Sequence, residues 1–177
     1  MALAASKRAL RPPAVLNLSI QYGVAKRGLP SQQRIRFWAR AALLADMRVT
    51  FRLVGAREGR MLNRDFRGQD HATNVLTFAY PEMEPLAGDI VLCVPLIARE
   101  ARQQRKRIDA HFAHLIVHGM LHLQGFDHEQ ARQAQLMELL ESEIVTRLGY
   151  PDPYVAHAQA PVTGQARPPN LRNGTSP

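Results

Sequence analysis

Apolar and polar residues change their rhythm along this chain. In "RVTFRLV" (48–54) they alternate, so Val49, Phe51 and Leu53 share one face of a predicted strand, and "VLNLSIQY" (15–22) reads as another. Between the two, Ser31 can cap a helix whose Ile35, Ala39, Ala42 and Leu43 form one apolar stripe. A short helix is predicted over 58–66. The β-rich runs "NVLTFAY" (74–80) and "GDIVLCV" (88–94) follow, joined by a connection too short for a helix, so these two strands should be antiparallel. From there the spacing becomes helical. One helix is predicted over 96–105 and a second over 109–124, stopped by Gly125. A third covers 130–148, with Leu136, Leu140, Ile144 and Leu148 at four-residue steps, and ends at Gly149 and Pro151. The order β-α-β-α-β-β-α-α-α implies an α+β fold, a small mixed sheet of about four strands covered by helices.

At 177 residues and 46% apolar, the chain can bury one core of ordinary size, which predicts a single domain over 15–154. A basic extension (1–14) and a Pro-rich tail (155–177) have little to bury and should be disordered. No run of about 18 apolar residues and no apolar signal segment appears, which points to a cytoplasmic protein that does not use a membrane. The lone cysteine, Cys93, sits in an apolar run and should be a buried, inert thiol. Charge adds a functional hint. Residues 1–67 carry 14 Lys or Arg against 3 Asp or Glu, whereas residues 68–177 carry 9 against 12. A basic half suits a polyanionic partner, nucleic acid first, because phosphate contacts supply most sequence-independent affinity.

The segment "HGMLHLQGFDH" (118–128) carries the candidate chemistry. A helix turns about 100° per residue, so His118 and His122 share a face, as two imidazole ligands of one tetrahedral metal must. Gly125 lets the chain reverse, and His128 can return as a third ligand. Three nitrogen ligands leave a Zn²⁺ with an open fourth position, the arrangement of a catalytic site rather than a structural one. His114 and His118 have the same four-residue spacing, but only His122 and His128 straddle the Gly125 turn, which favours the downstream trio. His111 and His114 are then supporting or surface residues, and Asp127 could orient a ligand imidazole. Gly119 stands where an HExxH protease carries its glutamate base, which disfavours peptide hydrolysis. Such a site suits phosphodiester cleavage, where metal and arginine stabilise charge on phosphate oxygens. A metallopeptidase-like hydrolase and a non-catalytic factor with structural zinc remain the rival readings.

Three motifs, in order, resemble the YbeY family of bacterial rRNA maturation endoribonucleases. The HGxLHLxGYDH element stands as HGMLHLQGFDH, with Phe126 for Tyr; an LNxxYRxxDxPTNVLSFP-like element runs from Leu62-Asn63 through Arg67, Asp70 and Thr73-Asn74 to Phe78; and GDIxI stands as Gly88-Asp89-Ile90-Val91-Leu92. The resemblance covers about 15–154. It implies a zincin-like fold with the metal site on the second-half helix and its following turn, and one Zn²⁺ per chain. The activity it implies is single-strand-specific endoribonuclease action in rRNA maturation, including 16S rRNA 3′-end processing, and in ribosome quality control. The partners are then rRNA and the ribosome, with no DNA expected. His118, His122 and His128 match the family's zinc ligands, and Arg67 its functional arginine, for which a bidentate phosphate clamp is the natural role. The chain departs from the pattern at Gln69, Ala72, Thr77, Ala79 and Phe126.

Overall fold

A strand followed by one helix and a second strand has enough chain to cross over and pair in parallel, whereas two strands joined by a tight connection pair antiparallel. Both outcomes occur in the computed structural model, which describes residues 13–126 and 131–155. Strand β1 (Leu16–Tyr22), helix α1 (Gln32–Ala41) and strand β2 (Met47–Val54) form a parallel crossover unit. Helix α2 (Ala56–Arg67) leads to the hairpin of β3 (Val75–Tyr80) and β4 (Leu86–Cys93). β4 inserts beside β2 in parallel, giving the order β1-β2-β4-β3 with β3 at a free edge. Helices α3 (Val94–Gln103), α4 (Ile108–Leu123) and α5 (Ala131–Arg147) complete the described chain. The α+β class, the mixed four-stranded sheet and the antiparallel pair agree with the sequence reading. Among the described residues, no helix is long and apolar enough to cross a membrane.

Alternation in β2 works as the pattern predicts. Met47, Val49, Phe51 and Leu53 are fully buried against α1 and α4, while Arg48 points outward. Ser31 Oγ accepts from Arg34 N at 3.3 Å and starts α1, whose Ile35, Trp38 and Ala39 enter the same core. Ala42 is buried too, but α1 ends before it, so Leu43 packs from the following turn. α4 packs over β4 and β3 and is buried along most of its length, its apolar residues facing the sheet and the neighbouring helices. α2 starts two residues earlier than its pattern suggested, at Ala56, and α3 starts directly at Val94. Cys93 closes β4 in a second, smaller core under α2 and α3; burial raises its thiol pKa and keeps it inert.

The apolar stripe assigned to the last helix is corrected. Leu136 is 51% exposed, and the buried face of α5 runs through Met137, Glu141, Ile144 and Val145, with Leu140 and Leu148 half-buried beside it. Four-residue steps advance about 40° beyond full turns, so a long row of leucines drifts off one face. The face the helix does bury contains a carboxylate, which a hydrophobic pattern assigns to solvent.

Candidate active site

That carboxylate organises the histidines. Glu141 is 1% exposed and accepts from His118 Nδ1 at 2.8 Å through Oε1 and from His114 Nε2 at 2.7 Å through Oε2. The Tyr154 hydroxyl donates to Oε2 as well. Burial alone would raise the Glu141 pKa, but the hydrogen bonds from His114 and His118 outweigh it and bring it from 4.5 down to about 2. Burial and the facing carboxylate push the Tyr154 phenol up. An ionised carboxylate only accepts, so each histidine donates to it through an N–H. For His118 this places the proton on Nδ1 and leaves Nε2 with a lone pair, the tautomer a carboxylate imposes on a metal-binding imidazole. For His114 the Nε2 is committed to Glu141, and its Nδ1 is buried with no partner among the described residues.

His118 and His122 sit one turn apart with ring centroids 4.5 Å from each other, and both line a cleft of about 860 Å³. The cleft lies between the second half of α4, the free edge strand β3 and the loop that precedes it. Arg67, the last residue of α2, enters the same cleft and donates from Nη2 to the Thr77 carbonyl at 3.1 Å. On α2, Arg60 makes a two-pronged pair with Asp70 at 2.8 and 2.6 Å and Arg64 pairs with Asp65 at 2.9 Å. Arg67 forms no ion pair among the described residues, so its charge is available to an anion. His71 and Gln69, on the loop after α2, line the cleft too.

Two further features fix the end of α4. The Gln124 side chain donates to the carbonyls of Ala42 and Met120 at 2.8 and 2.9 Å and accepts from Leu44 N at 2.7 Å, tying the helix to the α1–β2 connection. Gly125 follows with φ +88°, a left-handed turn that favours glycine. Gly119 answers the question its motif raises. A Cβ there would meet the Ile90 side chain at 3.0–3.3 Å, because α4 rests on β4 at this point, so the position faces the sheet and any larger residue would require Ile90 to shift.

Of the residues singled out by sequence, Arg67, His118 and His122 thus meet in one cleft, and His114 stands behind His118 through Glu141. His128 and Asp127 lie outside the described residues. Among the described residues alone, no group of three His, Cys, Asp or Glu side chains is assembled to hold a metal. The donor set nevertheless fits one: two imidazoles at helical spacing, one with its tautomer fixed for metal binding by a buried carboxylate. His111 is buried away from the cleft, 4% exposed, on Glu100 at 2.9 Å. Sequence reasoning missed Glu141, Gln124 and His71. Only the apolar neighbours of Glu141, Met137 and Val145, hinted that it faces inward.

A family model described as Endoribonuclease YbeY matches residues 31–149. A protein named Endoribonuclease YbeY from Aromatoleum aromaticum is 64% identical over 125 residues, covering 71% of this chain and 81% of the relative. Another of that name, from Nitrosomonas eutropha, is 55% identical over 138 residues, covering 78% of this chain and 98% of the relative. Among solved structures, the solution structure of TM1509 from Thermotoga maritima matches with a TM-score of 0.50 and 26% identity, over 75% of this chain and 91% of that one. On the family match and these identities, the chain belongs to the endoribonuclease YbeY family.

Proposed function

We propose that this endoribonuclease is Zn²⁺-dependent and single-strand-specific. Its work is rRNA maturation, including 16S rRNA 3′-end processing, and ribosome quality control in the cytoplasm. The hydrolase domain covers about 15–154, zincin-like in its use of α4 and the turn after it, with 1–14 and 155–177 as flanking extensions. The observation that carries this reading is the single cleft shared by the His118–His122 pair and Arg67, which forms no ion pair among the described residues.

His118 and His122 would hold the metal, with His128 as the third ligand. When bound, Zn²⁺ supplies Lewis-acid charge beside the scissile phosphate. Arg67 binds non-bridging phosphate oxygens through its planar fork and stabilises the extra negative charge of the transition state. Glu141 keeps the proton of His118 on Nδ1, so Nε2 is the nitrogen that would ligate the metal, and His114 and Tyr154 hold Glu141 in place. The Thr77 carbonyl fixes the guanidinium of Arg67 at the edge of β3, so the arginine is positioned before substrate arrives.

The test is cleavage of an end-labelled single-stranded RNA by wild type, His118→Ala and Arg67→Ala prepared in parallel. Cutting by wild type that both substitutions abolish, with circular dichroism unchanged, supports the reading; equal cutting by all three rejects it. The product ends assign the nucleophile. A 2′,3′-cyclic phosphate marks attack by the RNA 2′-OH, whereas a 5′-phosphate beside a 3′-hydroxyl marks attack by water.

A further inference from the structure

The sheet has a second face, and only one end of it is covered. α2 and α3 close it where Val54, Val91 and Cys93 are buried. Beyond them the face is open. The strand register sets Ser19, Thr50, Asp89 and Phe78 in one row across all four strands, flanked by Arg52 and Tyr80. Of these, Thr50, Asp89, Phe78, Arg52 and Tyr80 floor a second cleft of about 630 Å³. Arg67, Thr77 and Ala79 line both this cleft and the one that holds the histidines, so the two are continuous at the proposed phosphate clamp.

The chemistry of this face is uneven in an informative way. Phe66 is 66% exposed and meets Phe78 edge to face with centroids 5.2 Å apart; Tyr80 is 42% exposed. Large rings left at the mouth of a polar cleft cost hydration free energy unless something covers them. Between them Asp89 accepts from the Tyr80 hydroxyl at 2.7 Å, which raises the Tyr80 pKa. Arg52 is held by Glu58 at 2.6 Å and by Gln21 at 3.1 Å. A carboxylate in the floor repels phosphate but accepts from the N–H groups of a base, and exposed rings offer π-faces to stack on. Positive charge free to meet a phosphate lies at the junction, on Arg67. The pattern is a base-binding floor with the backbone anchored at its rim. Bases stacked inside a duplex could not reach it, whereas unpaired bases can.

We infer that this open face holds the bases of the single-stranded RNA that flanks the phosphate bound at Arg67. The inference rests on the endoribonuclease reading for its substrate, and binding tests it separately from catalysis. The probe is a fluorescein-labelled, 2′-O-methylated oligouridine of about 12 nucleotides, within the span one such face accommodates. Its anisotropy is followed with the full-chain protein as purified, for wild type, Phe66→Ala, Tyr80→Ala and Phe66→Trp.

Loss of one stacking ring should weaken binding about tenfold in each alanine variant, and Phe66→Trp should restore it. The salt dependence of both alanine variants should match wild type, whereas Arg67→Ala should lower the slope by about one phosphate. Dissociation constants of both alanine variants within about twofold of wild type would overturn the inference, leaving the face to a protein partner. So would weakened binding that Phe66→Trp fails to restore. Binding lost in the alanine variants by a wild type that cuts no RNA would keep this surface and remove the catalytic reading. Cutting that His118→Ala abolishes, with the alanine variants binding as wild type, would do the reverse.

Discussion

Two of the histidine–carboxylate pairs on helix α4, about two turns apart, differ in what surrounds the ring. His111 meets Glu100 of α3 at 2.9 Å, and His118 meets Glu141 of α5 at 2.8 Å. In both, the carboxylate comes from a neighbouring helix and has another donor, Asn74 for Glu100 and His114 for Glu141. The His111 side chain is 5% exposed, and its Nδ1 is buried with no partner among the described residues. The His118 side chain is 25% exposed and borders the cleft that contains Arg67. Pairing with a carboxylate therefore does not mark a metal ligand by itself. The same pair serves packing where the ring is enclosed and can serve chemistry where it opens on a cleft.

The comparison breaks most directly at the imidazoles. His118→Ala should lower RNA cleavage by at least about a thousandfold and release bound zinc, read by metal analysis of the purified protein. His111→Ala with an equal loss of zinc at retained fold would erase the distinction. Arg67→Ala tests whether His118 and the arginine of the same cleft act together. It should lower kcat about 100- to 1,000-fold with zinc content unchanged, and Arg67→Lys should recover only part, since an ammonium lacks the planar fork.

The carboxylates sharpen the contrast at smaller effect. Glu141→Gln should weaken zinc affinity about 10- to 100-fold, measured by competition with a chromophoric chelator, while Glu100→Gln leaves it unchanged. Smallest is a pH effect at the enclosed pair. Burial lowers the His111 pKa, with the Glu100 hydrogen bond opposing, so the unfolded chain binds this proton more readily than the folded one. Stability from the neutral, buried ring is then fully present above the unfolded pKa of about 6.5 and is lost as pH falls through it toward the lower folded value. Melting temperature should drop over that window in wild type, and His111→Gln should flatten the drop. An unchanged slope in the variant would show that His111 does not titrate as an enclosed group.

What the sequence determined by itself is local. Alternation fixed the inward face of β2, Ser31 marked the start of α1, and the four-residue step put His118 and His122 on one side of α4, because each depends only on the geometry of a few successive residues. A short connection was enough to orient β3 against β4. Tertiary structure decided the rest. Strand order arose when β4 entered between β2 and β3, and that placed Ile90 beneath Gly119 and the edge of β3 beside α4. Arg67 reached the histidines through that arrangement, and Glu141 reached His118 because α5 turned a carboxylate inward where its leucine pattern suggested another face. A charged side chain reads as solvated until the groups that desolvate and satisfy it are known, and here they come from segments distant in sequence.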